Sequence, residues 1–250
     1  TELWQENIAS YQTDLKDGKF VELGINFSDN AQGFYVPRFV IEGDKERGIE
    51  AVAPDLKTVA DLDKYADVFV DPENAGKGRI MGAIPGWEVD NYCQKVVENY
   101  GLLGKYNYAS PGSEPALAAS IKSACEKGEP WVGYYWEPTY ISGKYDIVRL
   151  TDVPYSPELW EQGKCDFPSN NVTVGVSNAF AQKDPELIEM LKNYSTSSDM
   201  TAKAIAYMTD NKADFTATAK WFITKYKDQV LSWLPEDKAK TLNDAIADWD

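Results

Sequence analysis

An alternation of short apolar strands with helical segments runs through most of this chain, and helices alone follow it. Residues 21–27 alternate apolar and polar side chains, which is the pattern of a half-buried strand. Residues 90–100 place Tyr92, Val96 and Tyr100 at helical spacing. Strands that alternate with helices predict an α/β fold with largely parallel sheets.

The remaining segments continue this pattern. Apolar runs bounded by glycine or proline predict strands, and capping residues such as Asp184 and Asp214 predict the starts of helices. Further strands are predicted over residues 33–43, with a break at Pro37, and over 79–84, 130–138, 146–150 and 171–177. Further helices are predicted over residues 5–19, 54–65, 115–127, 185–194, 198–211, 214–233 and 235–249.

The length of the chain points to two lobes. A chain of 250 residues is long for one compact domain. No long flexible linker separates the two halves, so the chain would cross between lobes in extended strands, near residues 30–40 and 172–180. We therefore expect lobe 1 to contain residues 1–30 and 172–250, and lobe 2 to contain residues 31–171.

The composition excludes several classes of function. The chain contains no histidine, which removes the Ser-His-Asp triad and the HExxH zinc site. A net charge of −15 without a lysine or arginine cluster argues against nucleic-acid binding. No apolar run approaches the roughly 18–20 residues that a membrane-spanning helix needs. A protein that does no covalent chemistry is therefore favoured, although paired carboxylates could still catalyse hydrolysis.

Neither a metal site nor a cofactor is predicted. Cys93, Cys125 and Cys165 form no CxxC pair, and we expect buried thiols that pack as small apolar side chains. The loop at residues 71–78 carries oxygen-bearing side chains at alternating positions, as a calcium loop does, but it lacks the later bidentate glutamate.

Aromatic residues are concentrated where predicted strands end. Ligands of α/β proteins bind in the crevice at the carboxyl ends of strands, so these aromatic residues predict a ligand crevice, although packing in the core is the alternative for each of them. The aromatic residues at strand ends are Trp4, Trp87, Trp131, Tyr134, Tyr135, Trp136 and Tyr140.

Four other tryptophans lie in helix-like stretches, where we expect them to pack: Trp160, Trp221, Trp233 and Trp249. An aromatic crevice suits a trimethylammonium group, which donates no N–H hydrogen bond and spreads its charge over methyl surfaces. Each aromatic face contributes about 0.5–2 kcal/mol to holding such a cation. A sugar-binding platform would fit the same residues.

Three motifs, in this order, are similar to those of a known family. They are Glu-Leu-Trp at residues 2–4, Pro-Gly-Trp at 85–87 and Gly-Tyr-Tyr-Trp-Glu-Pro-Thr-Tyr at 133–140. Together they resemble the glycine betaine, choline and proline-betaine binding proteins of ABC importers, over essentially the whole chain. The resemblance implies a two-lobed periplasmic-binding-protein clamshell of type II that closes on its ligand.

The resemblance also implies a cage of aromatic walls. The tryptophans of the three motifs would form it, two tyrosines of the third motif would complete it, and the two residues after Pro-Gly-Trp would meet the polar end of the ligand. The residues expected to bind the ligand are Trp4, Trp87, Glu88, Val89, Tyr135, Trp136 and Tyr140.

Glu88 departs from the family pattern, in which a small residue is common at this place. Its carboxylate would repel the carboxylate of a betaine and favour the hydroxyl of choline. A protonated Glu88 could instead donate to trimethylamine N-oxide. Alternatively, Glu88 points to solvent, and the same two alternatives apply to Glu137.

A second departure concerns the start of the chain. The resemblance implies a strand–helix–strand before the first tryptophan motif, so we expect lobe 1 to lack these elements here. Cys165 could pair with a cysteine in that missing part. No signal peptide is present in the sequence.

These observations predict the solute-binding protein of an ABC importer for a trimethylated ammonium compound such as choline, glycine betaine, carnitine or trimethylamine N-oxide. It would act as a monomer, in the periplasm or anchored outside the membrane, and would deliver its ligand to the permease subunits. The alternatives are an enzyme that acts on a sugar or amine through carboxylates such as Glu88 and Glu137, and a ligand-sensing domain of a receptor.

Overall fold

The computed structural model describes residues 1–5, 10–74, 76–247 and 249. The chain divides into two compact units. Unit 1 contains Thr1–Asn30, Pro138–Gly143 and Ser169–Asp250, and unit 2 contains Ala31–Glu137 and Lys144–Pro168. The segment Pro138–Gly143, which the sequence assigned to lobe 2, is thus part of unit 1. The lobes and their crossing strands stay predictions.

Eight strands and twelve α-helices make up the described chain. The strands are β1 Glu2–Trp4, β2 Val21–Phe27, β3 Gln32–Pro37, β4 Gly78–Met81, β5 Tyr106–Ala109, β6 Gly133–Trp136, β7 Ile147–Arg149 and β8 Val172–Val176. The helices are α1 Tyr11–Lys16, α2 Arg38–Glu42, α3 Glu88–Asn99, α4 Glu114–Lys127, α5 Tyr140–Lys144, α6 Pro157–Trp160, α7 Asn178–Ala181, α8 Pro185–Asn193, α9 Ser198–Asn211, α10 Phe215–Lys225, α11 Lys227–Ser232 and α12 Glu236–Ile246. Short 3-10 helices span Val59–Lys64 and Leu102–Gly104.

The sheet of unit 1 is antiparallel, so the expectation of largely parallel sheets is wrong there. Its strand order is β1-β8-β2, and both β1 and β2 run antiparallel to β8. The central strand β8 is buried along its whole length, whereas the edge strand β2 is mostly half-buried. An antiparallel sheet can leave one face in water, but β2 does not keep the predicted alternation: Ile25 is exposed and Asn26 is buried, next to shifts in the register with β8.

The sheet of unit 2 is mixed, with the strand order β5-β4-β6-β3-β7. Strand β4 runs parallel to β5 and β6, whereas β3 runs antiparallel to β6 and β7. The core of this unit contains fully buried side chains such as Phe34, Tyr35, Ile80, Leu117 and Ile121. Helices α3 and α4 contribute buried faces to unit 2.

Four predicted elements end earlier or break. Proline has no backbone N–H for a ladder, so β3 stops at Pro37 and α2 follows where a strand was predicted. Only the 3-10 helix Val59–Lys64, with a capping box of Thr58 and Asp61, forms within residues 54–65. The helix predicted over 214–233 breaks at Tyr226, whose φ of −113° and ψ of 37° are not helical. The helix predicted over 5–19 is present as α1, and residues 6–9 lie outside the described part.

The three cysteines are buried and form no disulfide. Burial raises the pKa of the Cys93 and Cys125 thiols, so both stay protonated and unreactive. No helix within the described ranges is both long and apolar enough to span a bilayer.

Candidate functional site

The Pro-Gly-Trp motif forms a tight turn between β4 and α3. The Trp87 N–H donates to the Ile84 carbonyl oxygen at 3.0 Å, Pro85 holds the first central position, and Gly86 holds the second with a φ of +93°. Proline followed by glycine at a positive φ is the sequence of a type II turn. The turn places Trp87 at the N-cap of α3 with 37% of its surface exposed.

The variant Gly86→Ala tests this turn. A Cβ at position 86 meets no atom within 4 Å, so the effect comes from the positive φ alone. We expect a loss of about 1–2 kcal/mol in the free energy of unfolding, together with weaker ligand binding because the Trp87 ring is misplaced. Urea denaturation and calorimetric titration measure the two effects. Gly104→Ala, at another glycine with open space around it, should change neither, and an unchanged Gly86→Ala protein would contradict the turn assignment.

Helix α3 begins directly after Trp87 and offers unpaired amides there. The first N–H groups of a helix have no partner within it, and the positive end of the helix dipole favours an acceptor oxygen. The Asp90 N–H already donates to the Trp87 carbonyl oxygen at 3.1 Å, which leaves the amides of Glu88 and Val89 as the candidate donors. The Glu88 side chain is exposed, as the solvent alternative required, and Val89 is half-buried.

Trp136 lies next to Trp87 within unit 2. Their ring centroids are 5.4 Å apart and the planes meet at 63°, so the two indoles form a corner of aromatic surface. Tyr135 stacks on Trp136 at 4.9 Å and 19°, and only 3% of its surface is exposed. The structure therefore brings together three residues that the sequence predicted to bind the ligand.

Two further rings support this corner: Tyr134, one of the strand-end aromatic residues named above, and Phe167, for which no role was predicted. Tyr134 lies 6.0 Å from Trp136 and donates its hydroxyl to Gln32 Oε1 at 2.9 Å. Phe167 lies 6.0 Å from Tyr134. Phe167 also contacts the stacked pair of Tyr92 and Trp160, so Trp160 packs as predicted. The role of Phe167 becomes apparent only in the folded structure, because the residue lies in a loop without a recognisable motif.

The other predicted cage residues belong to unit 1. Trp4 ends β1, where it pairs with Val172, and its ring meets Phe27 edge-to-face at 5.8 Å. Tyr140 begins α5 and donates its hydroxyl to Asp210 Oδ1 at 3.0 Å. Their participation in one site with the residues of unit 2 stays a prediction.

Glu137 is half-buried, and its negative charge affects the pKa of Tyr35. Burial, and next the negative charge of Glu137, raise the pKa of Tyr35 above its ordinary value. The carboxylate therefore lies close to Tyr35, on the buried strand β3. Glu88 is exposed and Glu137 is turned toward Tyr35, so these two acids lie in different environments.

The loop that resembles a calcium site is held by protein contacts. Asp71 accepts from Arg79 Nε at 2.9 Å, from Asn107 Nδ2 at 2.8 Å and from the Glu73 N–H at 3.0 Å. These bonds occupy both carboxylate oxygens with donors of the protein. Ala75, within this loop, lies outside the described residues. In the part of the chain that is described, no three histidine, cysteine or acidic residues are grouped as metal ligands.

Comparison with known proteins decides the family. A profile described as OpuAC, the substrate-binding domain of the ABC-type glycine betaine transport system, matches residues 1–225. The chain belongs to this family. The resemblance seen in the three motifs is thus confirmed, and so is the predicted function class of a substrate-binding protein of ABC transporters.

Two relatives of this OpuAC-family chain carry names for their ligands. It is 26% identical over 243 residues to the trimethylamine N-oxide-binding protein of Pelagibacter ubique, which covers 95% of this chain and 74% of that protein. It is 29% identical over 187 residues to the glycine betaine/proline betaine-binding periplasmic protein of Salmonella typhimurium, which covers 68% of this chain and 52% of that protein. The chain thus spans about half of the second relative.

Solved structures confirm the predicted fold class. The glycine betaine/L-proline-binding protein ProX of Borrelia burgdorferi superposes with a TM-score of 0.55 at 23% identity, over 97% of this chain and 78% of that chain. The lactococcal OpuAC complexed with glycine betaine gives 0.54 at 19% identity, over 94% and 78%. A choline-binding protein in complex with choline gives 0.51 at 17% identity, over 93% and 72%. The fold is the mixed α/β fold of periplasmic binding proteins, with two sheets.

Proposed function

We propose that this chain binds one trimethylated ammonium compound and delivers it to the permease of an ABC importer. The observation that carries the proposal is the corner formed by Trp87 and Trp136, with centroids 5.4 Å apart, at the start of α3. An aromatic corner beside a helix N-terminus suits such a ligand. The aromatic faces attract its trimethylammonium group, and the helix amides can bind the oxygen at its polar end.

The cage would hold the cation through several faces. Trp87 and Trp136 supply aromatic surface in unit 2, with the buried Tyr135 stacked on Trp136, and we propose that Trp4 and Tyr140 complete the cage from unit 1. At about 0.5–2 kcal/mol for each desolvated face, three or four faces supply much of the roughly 8 kcal/mol that micromolar binding requires.

The polar end of the ligand would bind the Glu88 and Val89 amides. The carboxylate of glycine betaine and the oxide of trimethylamine N-oxide carry negative charge, whereas the hydroxyl of choline is neutral. Because the helix N-terminus favours negative charge and the Glu88 side chain is exposed, we expect the first two ligands to bind more tightly than choline. This reverses the preference that the sequence suggested for Glu88.

Isothermal titration calorimetry with trimethylamine N-oxide, glycine betaine, choline and carnitine tests the proposal. We expect at least one of the four to bind one-to-one with a Kd of about 1 μM. Maltose serves as the control, because it would bind to a sugar platform but lacks a cation. Heat from maltose and from none of the four amines would reject the proposal in favour of the sugar-binding alternative.

The enzyme alternative receives less support. The family is one of transport binding domains. We propose that the protein releases its ligand chemically unchanged. We also propose that it acts as a monomer and lies outside the cytoplasmic membrane. Proton NMR of the ligand after incubation with the protein tests this directly. Conversion of the trimethylammonium signal into a new signal would support an enzyme.

A further inference from the structure

Tyr108 connects the central sheet of unit 2 to the two segments that hold Trp87. It lies on β5, beside Ile80 of the parallel strand β4. Its hydroxyl donates to Asp90 Oδ1 at 2.7 Å and accepts from the Ala83 N–H at 3.3 Å. Ala83 precedes the Pro-Gly-Trp turn, and Asp90 lies in the first turn of α3. One phenol thus bonds to the chain on both sides of Trp87.

The Tyr108 ring packs tightly against the backbone of Gly82, in the segment that follows β4. A Cβ added at Gly82 would overlap the Tyr108 ring and its hydroxyl oxygen, so glycine at this position allows the ring to lie against the backbone. Burial, reinforced by Cys93 and by Asp90, raises the pKa of Tyr108 above its ordinary value. The hydroxyl therefore keeps its proton and remains the donor to the carboxylate.

Asp90 connects Tyr108 to the Pro-Gly-Trp turn through hydrogen bonds. Only 5% of its surface is exposed, and its second oxygen accepts from Gln94 Nε2 at 2.9 Å. Its own N–H donates to the Trp87 carbonyl oxygen at 3.1 Å. A buried carboxylate needs such donors, so the bond from Tyr108 helps to hold Asp90, and with it the Trp87 carbonyl, in place.

We propose that Tyr108, acting through Asp90, is a positioning residue that fixes the Trp87 ring and the first amides of α3 for ligand binding. The proposal rests on the proposed function and extends it to residues that make no contact with the ligand.

Tyr108→Phe removes the hydroxyl and keeps the ring. Hydrogen bonds to charged groups are the stronger ones. We therefore expect a rise of about tenfold in the Kd of whichever of trimethylamine N-oxide, glycine betaine, choline and carnitine binds most tightly. Tyr106→Phe is the matched control on the same strand, because the buried Tyr106 hydroxyl donates to the Leu62 carbonyl oxygen at 2.7 Å. It should lower the melting temperature comparably and leave the Kd within about twofold.

Asp90 supplies a second pair of variants. Asp90→Ala should weaken binding at least as much as Tyr108→Phe, because it also loses the bond from Gln94. The two effects should not add in the double variant, because the bond between Tyr108 and Asp90 is lost in all three. Asp90→Asn keeps an acceptor for the Tyr108 hydroxyl and should restore the Kd to within about threefold of wild type. A purely structural pair would lower the melting temperature in each variant without a change in Kd.

The outcomes separate the two proposals. If the unaltered chain binds none of the four ligands, trimethylamine N-oxide, glycine betaine, choline and carnitine, the proposed function fails. If it binds and Tyr108→Phe binds within about twofold of it, or no more weakly than Tyr106→Phe, the positioning role is overturned. A folded Tyr108→Phe protein with about tenfold weaker binding and an unaffected Tyr106→Phe protein support it.

Discussion

Trp87→Ala should weaken binding of the trimethylated ligand by about 2 kcal/mol, which corresponds to a roughly thirtyfold rise in Kd. Trp87 supplies one wall of the aromatic corner and lies at its exposed side. Its removal takes away a cation–π partner and opens the remaining corner to water. The free energy of unfolding should fall by less than about 1.5 kcal/mol, because Trp87 is 37% exposed and its ring contact with Trp136 is an edge-to-face one.

Two controls separate the cation–π contribution from simple loss of volume. Trp87→Phe keeps an aromatic face and should recover most of the affinity, to within about fivefold of the unaltered chain. Trp221→Ala removes a tryptophan of α10 that stacks on Tyr207 and should leave the Kd unchanged. Calorimetric titrations of the three variants measure these effects. Equal affinity of the Trp87→Ala protein and the unaltered chain would remove Trp87 from the site.

Gly143→Ala should destabilise unit 1 by about 3 kcal/mol. A Cβ at this position, in α5, would overlap the carbonyl oxygen of Ala202 and come within 3.0 Å of the Lys203 nitrogen. Both atoms belong to the backbone of α9, which cannot turn aside as a side chain can. Packing at this density transmits the strain to its neighbours, so α5 and its Tyr140 should move as well.

Gly112→Ala is the matched control, because Gly112 is exposed and a Cβ there meets nothing within 4 Å. Urea denaturation should show a loss of stability for Gly143→Ala and almost none for Gly112→Ala. If Tyr140 belongs to the site, the Gly143→Ala protein should also bind its ligand more weakly at urea-free conditions. Unfolding curves of equal midpoint for the two variants would show that α5 does not pack on α9 as described.

Local patterns predicted elements better than they predicted pairing. The alternation over residues 21–27 and the helical spacing over 198–211 reappear as β2 and α9 with the same bounds. The direction of the strands was missed, because a period of two residues tells which face is buried but not which strand lies alongside. The helix after Pro37 was missed for a related reason, since a short buried run is compatible with either structure.

The candidate site was predicted where motifs carry it. Pro-Gly before Trp87 specifies a turn by its own backbone preferences, and the aromatic run ending at Trp136 specifies a strand. Their proximity follows from the resemblance. The bond between Tyr108 and Asp90 could not be predicted in the same way, because two ordinary polar residues meet only after β4 and β5 have paired.

The most direct test of the cage compares each ligand with an analogue in which a carbon atom replaces the positively charged nitrogen. A tert-butyl group has nearly the shape of a trimethylammonium group but no positive charge, so 3,3-dimethylbutanoate replaces glycine betaine, 3,3-dimethylbutan-1-ol replaces choline and tert-butanol replaces trimethylamine N-oxide. Competition calorimetry gives the Kd of each pair. A cation–π cage predicts that the member of a pair with the positively charged nitrogen binds at least about tenfold more tightly. Equal binding of the two members would show that the aromatic residues form an apolar pocket and would contradict the cage.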